Sequence, residues 1–272
     1  LTITGARPFG ETLVPALIKG YAASLGAGVE HVTGAAAGET KFRLADAEGA
    51  ALASLTVDPG TTTSAFTALD QGKAAIGITD RPISATEAQA LTRLAPDMRS
   101  TQTQHLVGRD GLAIIVSPDA AITSISEEHV AKIFSGGLAG WSEAGIPGGE
   151  ISIYSAGANS SATDVLAETF LKPRNLALTT KVKLVDSETE VADAVARDPN
   201  GIGIVSMSET RSAKRLNLVG SCGLITRPTI FGVKSGEYPL SRPLYFYTGG
   251  FVKEAAGRGL LRYALSREAQ DA

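Results

Sequence analysis

Along most of this chain, short apolar runs of strand character alternate with segments whose apolar residues recur at helical spacing. That alternation calls for an α/β fold with mostly parallel sheets flanked by helices. LTITG reads as a strand, and Leu13, Val14, Leu17, Ile18, Tyr21 and Leu25 follow at helical period, with Gly26 as the stop. Further along, residues 62–71 read as a short helix, 74–79 as a buried strand, and 85–94 as another helix. A long apolar strand is predicted over 105–117. SISEEHVAKIFSGG carries the strongest helix signal: Ser126 can cap it, and Glu127 and Glu128 favour its positive end. Strands at 151–155, KVKLVD and IGIVS enclose a helix over 161–171 and one opened by a Ser187/Glu190 capping box. Towards the end the pattern breaks: residues 229–248 read as strand-rich, and a closing helix runs from about Phe251 to Leu265.

A chain of 272 residues can bury a sizeable core as one large or two medium domains. It has 43% hydrophobic and 19% charged residues, the mix of an ordinary globular protein, and no apolar run of membrane-spanning length. A net charge of −3 without basic runs argues against nucleic acid as a partner. Cys222 is the only cysteine, so no internal disulfide forms, but the compartment stays open. The chain starts without an initiator Met, so the lack of a signal peptide carries no information.

The stretch GTTTSAFTALDQG (60–72) puts four hydroxyls, Thr61, Thr62, Thr63 and Ser64, where a strand hands over to a helix. The first N–H groups of a helix are unpaired, and together with the helix dipole and nearby hydroxyls they can hold an anion. Taken alone, such a stretch is better explained by ordinary capping, since Ser and Thr cap helices everywhere. The pattern recurs, however, in SAGANSSATDVL (155–166), with Asn159, Ser160, Ser161 and Thr163, and in GARPFGETLVP (5–15), with Arg7. Ligands of open α/β sheets bind beyond the carboxyl ends of the strands, where such helix starts gather. GITDRP (77–82) adds Asp80 and Arg81 directly after a buried strand. Catalysis has no comparable support: GxxxxGK[ST], GxGxxG after a strand, HExxH and paired CxxC are all missing, and His31, His105 and His129 are scattered. The expectation is a non-enzyme without metal or cofactor.

At these residues the sequence resembles the periplasmic phosphate-binding proteins that feed ABC transporters. The resemblance rests on GTTTSAFTALDQGKAAIGITDRPIS, DGLAIIVSPD, SISEEHVAKIFSGGLAGWSEAG, DPNGIGIVSMS and GEYPLSRPLYFYT, in the family's order, and it covers nearly the whole chain. It looks closest to the bacterial branch in which this module precedes an outer-membrane, peptidoglycan-anchoring domain. The resemblance implies a two-lobed periplasmic-binding-protein fold of the class II type, with ligand in the cleft between lobes. Lobe I would comprise residues 1–112 and 227–272, and lobe II residues 113–226. It also implies a periplasmic monomer that captures phosphate and hands it to an ABC transporter permease.

By the same resemblance, Asp80 stands where the family accepts a hydrogen bond from a protonated phosphate oxygen. Sulfate, which carries no such proton, would be repelled there. Thr61, Thr62, Thr63 and Ser64 match the family's hydroxyl-rich loop, and Ser160 its second-lobe serine. Two positions depart. The Arg-x-x-x-Ser-Gly-Thr motif reads Ala156 to Ala162, without the arginine or the threonine, and the first loop reads Ala6, Arg7, Pro8, Phe9. Arg7 or Arg81 is therefore expected to supply the absent guanidinium, with Phe9 in the same loop. Two alternatives stay open. One is a binding module with a degraded anion pocket serving the cell envelope, and the other is the effector-sensing domain of a regulator.

Overall fold

Gly5 adopts φ +136°, and a Cβ there would lie 2.0 Å from the carbonyl oxygen of Ile78, so only glycine lets the first strand sit this close to its neighbour. In this computed structural model, which describes residues 1–34, 38–157 and 160–271, that strand, Thr2–Ala6, runs parallel to Ala51–Gly60 on one side and Ile76–Thr79 on the other. The chain divides into two units, Leu1–Gly108 with Pro243–Ala272, and Arg109–Arg242.

In the first unit an antiparallel meander, Gly28–Thr33, Thr40–Ala45 and Ala51–Gly60, extends the sheet on one side. On the other side, Tyr245 to Tyr247 pair antiparallel with Thr79 to Gly77. The helix Leu13–Ser24 buries Val14, Leu17, Ile18 and Tyr21, as its spacing predicts. The closing helix starts later than expected, at Ala255, and runs to Ala264. It packs into this same core through Leu260 and Ala264. The helix predicted over 85–94 spans only Ala85–Ala90, opened by a Ser84/Glu87 capping box.

In the second unit, Leu112 to Val116 pair antiparallel with Ser206 to Ile202. Gly201–Ser206, Ser152–Ala156 and Lys183–Val185 run parallel. The helix Glu127–Phe134 is capped by Ser126 as expected, and Val130, Ala131, Ile133 and Phe134 are buried. Trp141 is core: its ring is 4% exposed and its Nε1–H donates to the carbonyl of Asn200 at 3.1 Å. Ser187 caps Glu188–Arg197, but only half of the expected box forms, because the Glu190 carboxylate accepts from the N–H of Asp186. The helix predicted over 161–171 is α-helical for Ser161–Leu166 and continues as a π-helical turn, Ala167–Leu171.

Two features differ from the sequence reading in ways that matter below. Residues 229–248 hold a helix, Ile230–Ser235, before the strand Ser241–Tyr247. Thr229 caps that helix by accepting from the N–H of Gly232, and Gly236 ends it in the left-handed region. The chain leaves the second unit at 242/243 rather than near 226. Val233, Tyr238 and Leu240 pack into that unit's core, and Leu112 donates its N–H to the Leu240 carbonyl at 2.9 Å.

Candidate functional site

Asp80 follows directly on the strand Ile76–Thr79 and is only 8% exposed. A carboxylate so placed needs donors. Thr62, the first residue of the helix Thr62–Asp70, provides one: its hydroxyl donates to Oδ1 at 2.5 Å and accepts from the Asp80 N–H at 3.2 Å. Oδ2 has no donor among the described residues.

The other hydroxyls of the 61–64 stretch are put to different uses. Thr61 and Ser64 form a reciprocal capping box, with the Ser64 N–H on Thr61 Oγ1 at 3.0 Å and the Thr61 N–H on Ser64 Oγ at 2.9 Å. Ser64 Oγ in turn donates to the Thr61 carbonyl. Thr61, Thr63 and Ser64 line a surface depression of about 560 Å³ together with Thr4 and Asp58, and neither Thr62 nor Asp80 belongs to its walls. The four hydroxyls thus fall on two faces, and Thr62 is the one that meets the carboxylate.

Both candidate arginines of the first unit are engaged. Arg7 pairs with Glu11 one turn on at 2.9 Å. Arg81 grips Glu87 with both nitrogens, at 2.9 and 2.8 Å, and lies 6.0 Å from the Phe66 ring centroid. The guanidinium holds the Glu87 carboxyl down to about 2, aided by the N–H of Ser84. Phe9 is 4% exposed and its ring belongs to the first unit's core.

In the second unit, Ser160 is 8% exposed and caps Ser161–Leu166 by accepting from the Thr163 N–H. The Thr163 hydroxyl is buried and meets Ser155 Oγ at 2.7 Å. Ser161 is half-buried and accepts from Arg242 Nη1. Asn159 lies outside the described residues.

Arg242 is a residue the sequence reading missed. It is fully buried, and its Nε donates to Asp110 Oδ2 at 2.9 Å while Nη2 lies 2.9 Å from the same oxygen and 3.0 Å from Glu188 Oε1. Asp110 Oδ1 accepts from the Ser206 hydroxyl and Glu188 Oε2 from the Ser206 N–H. Burial pushes the Glu188 carboxyl up, against the pull of Arg242 and the Ser206 N–H. The signal available in the sequence was an arginine inside SRPLYFY, an otherwise apolar strand. Among the described residues no group of three or more His, Cys, Asp or Glu is placed to hold a metal ion.

A profile described as the PBP superfamily domain matches residues 22–268. The chain belongs to the PBP superfamily. Among curated proteins, this PBP-superfamily chain is 28% identical over 169 residues to the phosphate-binding protein PstS of Borreliella burgdorferi, covering 60% of each chain. It is 30% identical over 171 residues to PstS of Bacillus subtilis, covering 61% of this chain and 53% of that one. The match therefore spans between half and three fifths of these relatives' length. Among solved structures, a Clostridium perfringens substrate-binding protein with bound phosphate superposes with TM-score 0.73 at 18% identity, over 100% of this chain and 95% of that one. An ABC-type phosphate transport receptor from Vibrio cholerae gives 0.70 at 18% identity, over 100% and 96%. At that identity the likeness carries the fold, a two-lobed periplasmic-binding-protein architecture.

Proposed function

We propose that this chain is a periplasmic solute-binding protein that captures an inorganic oxyanion, phosphate, and delivers it to an ABC-type permease. It binds its ligand and does not transform it, and it works as a monomer. The observation that carries the reading is Asp80: a buried carboxylate with one oxygen held by Thr62 and the other left to accept. An acceptor in that position favours an anion that still carries a proton and rejects one that does not. In the second unit, Ser160, Ser161 and Thr163 place three hydroxyls at the start of the helix Ser161–Leu166. Net charge of −3 is no obstacle, since local dipoles and hydroxyl donors set the field at the site.

A thermal-shift panel tests this. Phosphate and arsenate should raise the unfolding midpoint with concentration, by a stabilisation of about 2.7 kcal/mol at a hundred times Kd, while sulfate and molybdate leave it unmoved. A flat response to all four refutes the reading. It would favour a binding module with a degraded pocket, a reading that draws on one observation: Arg7 is paired with Glu11 and Arg81 with Glu87.

A further inference from the structure

Residues 210–236 hold Arg211, Lys214, Arg215, Arg227 and Lys234 and not one acidic side chain, in a chain whose net charge is −3. The same stretch stands four large apolar side chains in water: Leu224 is 64% exposed, Ile225 52%, Ile230 72% and Phe231 72%. Side chains this exposed protrude from the surface instead of lining a groove, and a run of them marks a contact face.

The local fold gathers both features. Gly232 and Val233 are the buried residues of the helix Ile230–Ser235, so Ile230, Phe231 and Lys234 share its outer face. Ile225 opens the edge strand of a three-stranded sheet, directly after Leu224 and a tight turn at Gly223. The strand then folds back on the helix: a Cβ on Gly232 would lie 3.1 Å from the Arg227 carbonyl. Burial pushes the Tyr238 hydroxyl up and the Arg215 charge opposes it, which places Arg215 near a residue whose N–H donates to the Gly232 carbonyl.

Arg211 pairs with Asp193, and Lys214 donates to the Ala120 carbonyl. Arg215, Arg227 and Lys234 are exposed and have no acidic partner among the described residues. The acids at the margins are Glu237 and, by Gly220, Glu127, which faces Arg174 at 3.9 Å. Protein interfaces are depleted in lysine. Uncompensated cations around protruding Ile and Phe match a lipid boundary better, with charge at the headgroups and apolar tips in the acyl edge. No helix among the described residues is long and apolar enough to cross a membrane, so such a contact is peripheral.

We infer that Leu224, Ile225, Ile230 and Phe231, with Arg215, Arg227 and Lys234 around them, dock on a bilayer surface that carries anionic lipid headgroups. The cations draw the second unit to the surface, and the apolar tips hold it there when salt screens the charges. This face shares no residue with the proposed oxyanion site.

Co-sedimentation of the full chain with vesicles tests it, comparing equal parts phosphatidylglycerol and phosphatidylcholine with phosphatidylcholine alone. The chain should bind the anionic vesicles, more weakly as salt rises, and should ignore the neutral ones. Arg227→Gln and Lys234→Gln should each weaken binding about fivefold. Ile230→Ser/Phe231→Ser should weaken it at least about tenfold, and both side chains are exposed enough for the fold to survive their loss. Cys222, exposed at the turn before Leu224, can carry a polarity-sensitive dye, whose emission should shift to the blue with anionic vesicles alone. No binding by wild type, equal binding to both vesicle types, or undiminished binding by the Ile230/Phe231 variant overturns the inference. A dimer that those two substitutions dissociate, seen without vesicle binding, also overturns it and makes the face a contact between copies of the chain.

Discussion

Replacing Asp80 by Asn changes three atoms and reverses one hydrogen bond. The Asn carbonyl can keep the Thr62 contact, made at 2.5 Å by Oδ1 in the wild type, so the local fold survives. The amide nitrogen then stands where Oδ2 was, and a group that could only accept becomes one that can only donate. A protonated phosphate oxygen now meets a donor instead of an acceptor. It loses a hydrogen bond to a charged partner, about 1.5–3 kcal/mol, so phosphate should bind roughly ten- to a hundredfold more weakly. Sulfate gains at the same position, because the repelling charge is gone. Competition titration with both anions, at constant ionic strength, measures the ratio directly. A variant whose phosphate affinity stays within about twofold of wild type, a difference under about 0.5 kcal/mol, with no gain for sulfate, refutes Asp80 as the acceptor.

The Arg81–Glu87 pair should contribute to stability and leave the ligand alone. Lowering the Glu87 carboxyl from 4.5 to about 2 has an upper bound on the order of 3 kcal/mol, but the Arg81 side chain is 41% exposed and screening leaves about 1. The contribution is complete above about 4.5 and disappears as pH falls towards 2. Urea unfolding should therefore separate wild type from Glu87→Gln near neutral pH, and the gap should close near pH 2, while Arg81→Ala titrates with phosphate like wild type. Gly5→Ala forces a side chain against the Ile78 carbonyl at a positive φ, and a loss of at least about 3 kcal/mol is expected by chemical denaturation. Trp141→Ala empties a core site and removes one of two donors on the Asn200 carbonyl, which keeps the Ser152 N–H, at about 3–5 kcal/mol on the same assay.

Local signals carried the sequence reading well. Ser126 before two glutamates, and the spacing of Val14, Leu17, Ile18 and Tyr21, each fixed an element because one face of a helix is all that such residues have to bury. The antiparallel meander of the first unit was missed although Phe42 and Leu44 alternate with Lys41 and Arg43; the glycine and alanine around those strands blur both periods. Thr229 to Gly236 was read as strand because Ile230, Phe231 and Val233 favour strands, and the Thr229 cap and left-handed Gly236 overruled that preference.

At the site, Thr62 and Asp80 were legible as residue types next to element ends. Their pairing was not, since it joins positions 18 apart in the chain. Arg242, Asp110 and Glu188 were invisible for the same reason: a charge inside an apolar strand signals an unknown partner, and only folding supplies it. Arg7 and Arg81 illustrate the converse. Glu11 and Glu87 stood four and six residues away, close enough to be weighed as partners before any ligand.

Asp110 and Arg242 meet although 132 positions separate them, so the second unit enters and leaves through a single ionic gate. In the first unit Gly108 lies against Leu244, which brings the two cut ends together there as well. Residues 109–242 therefore start and finish at one point, so cutting the chain there, or bridging the two ends with a short glycine–serine link, should stretch neither piece.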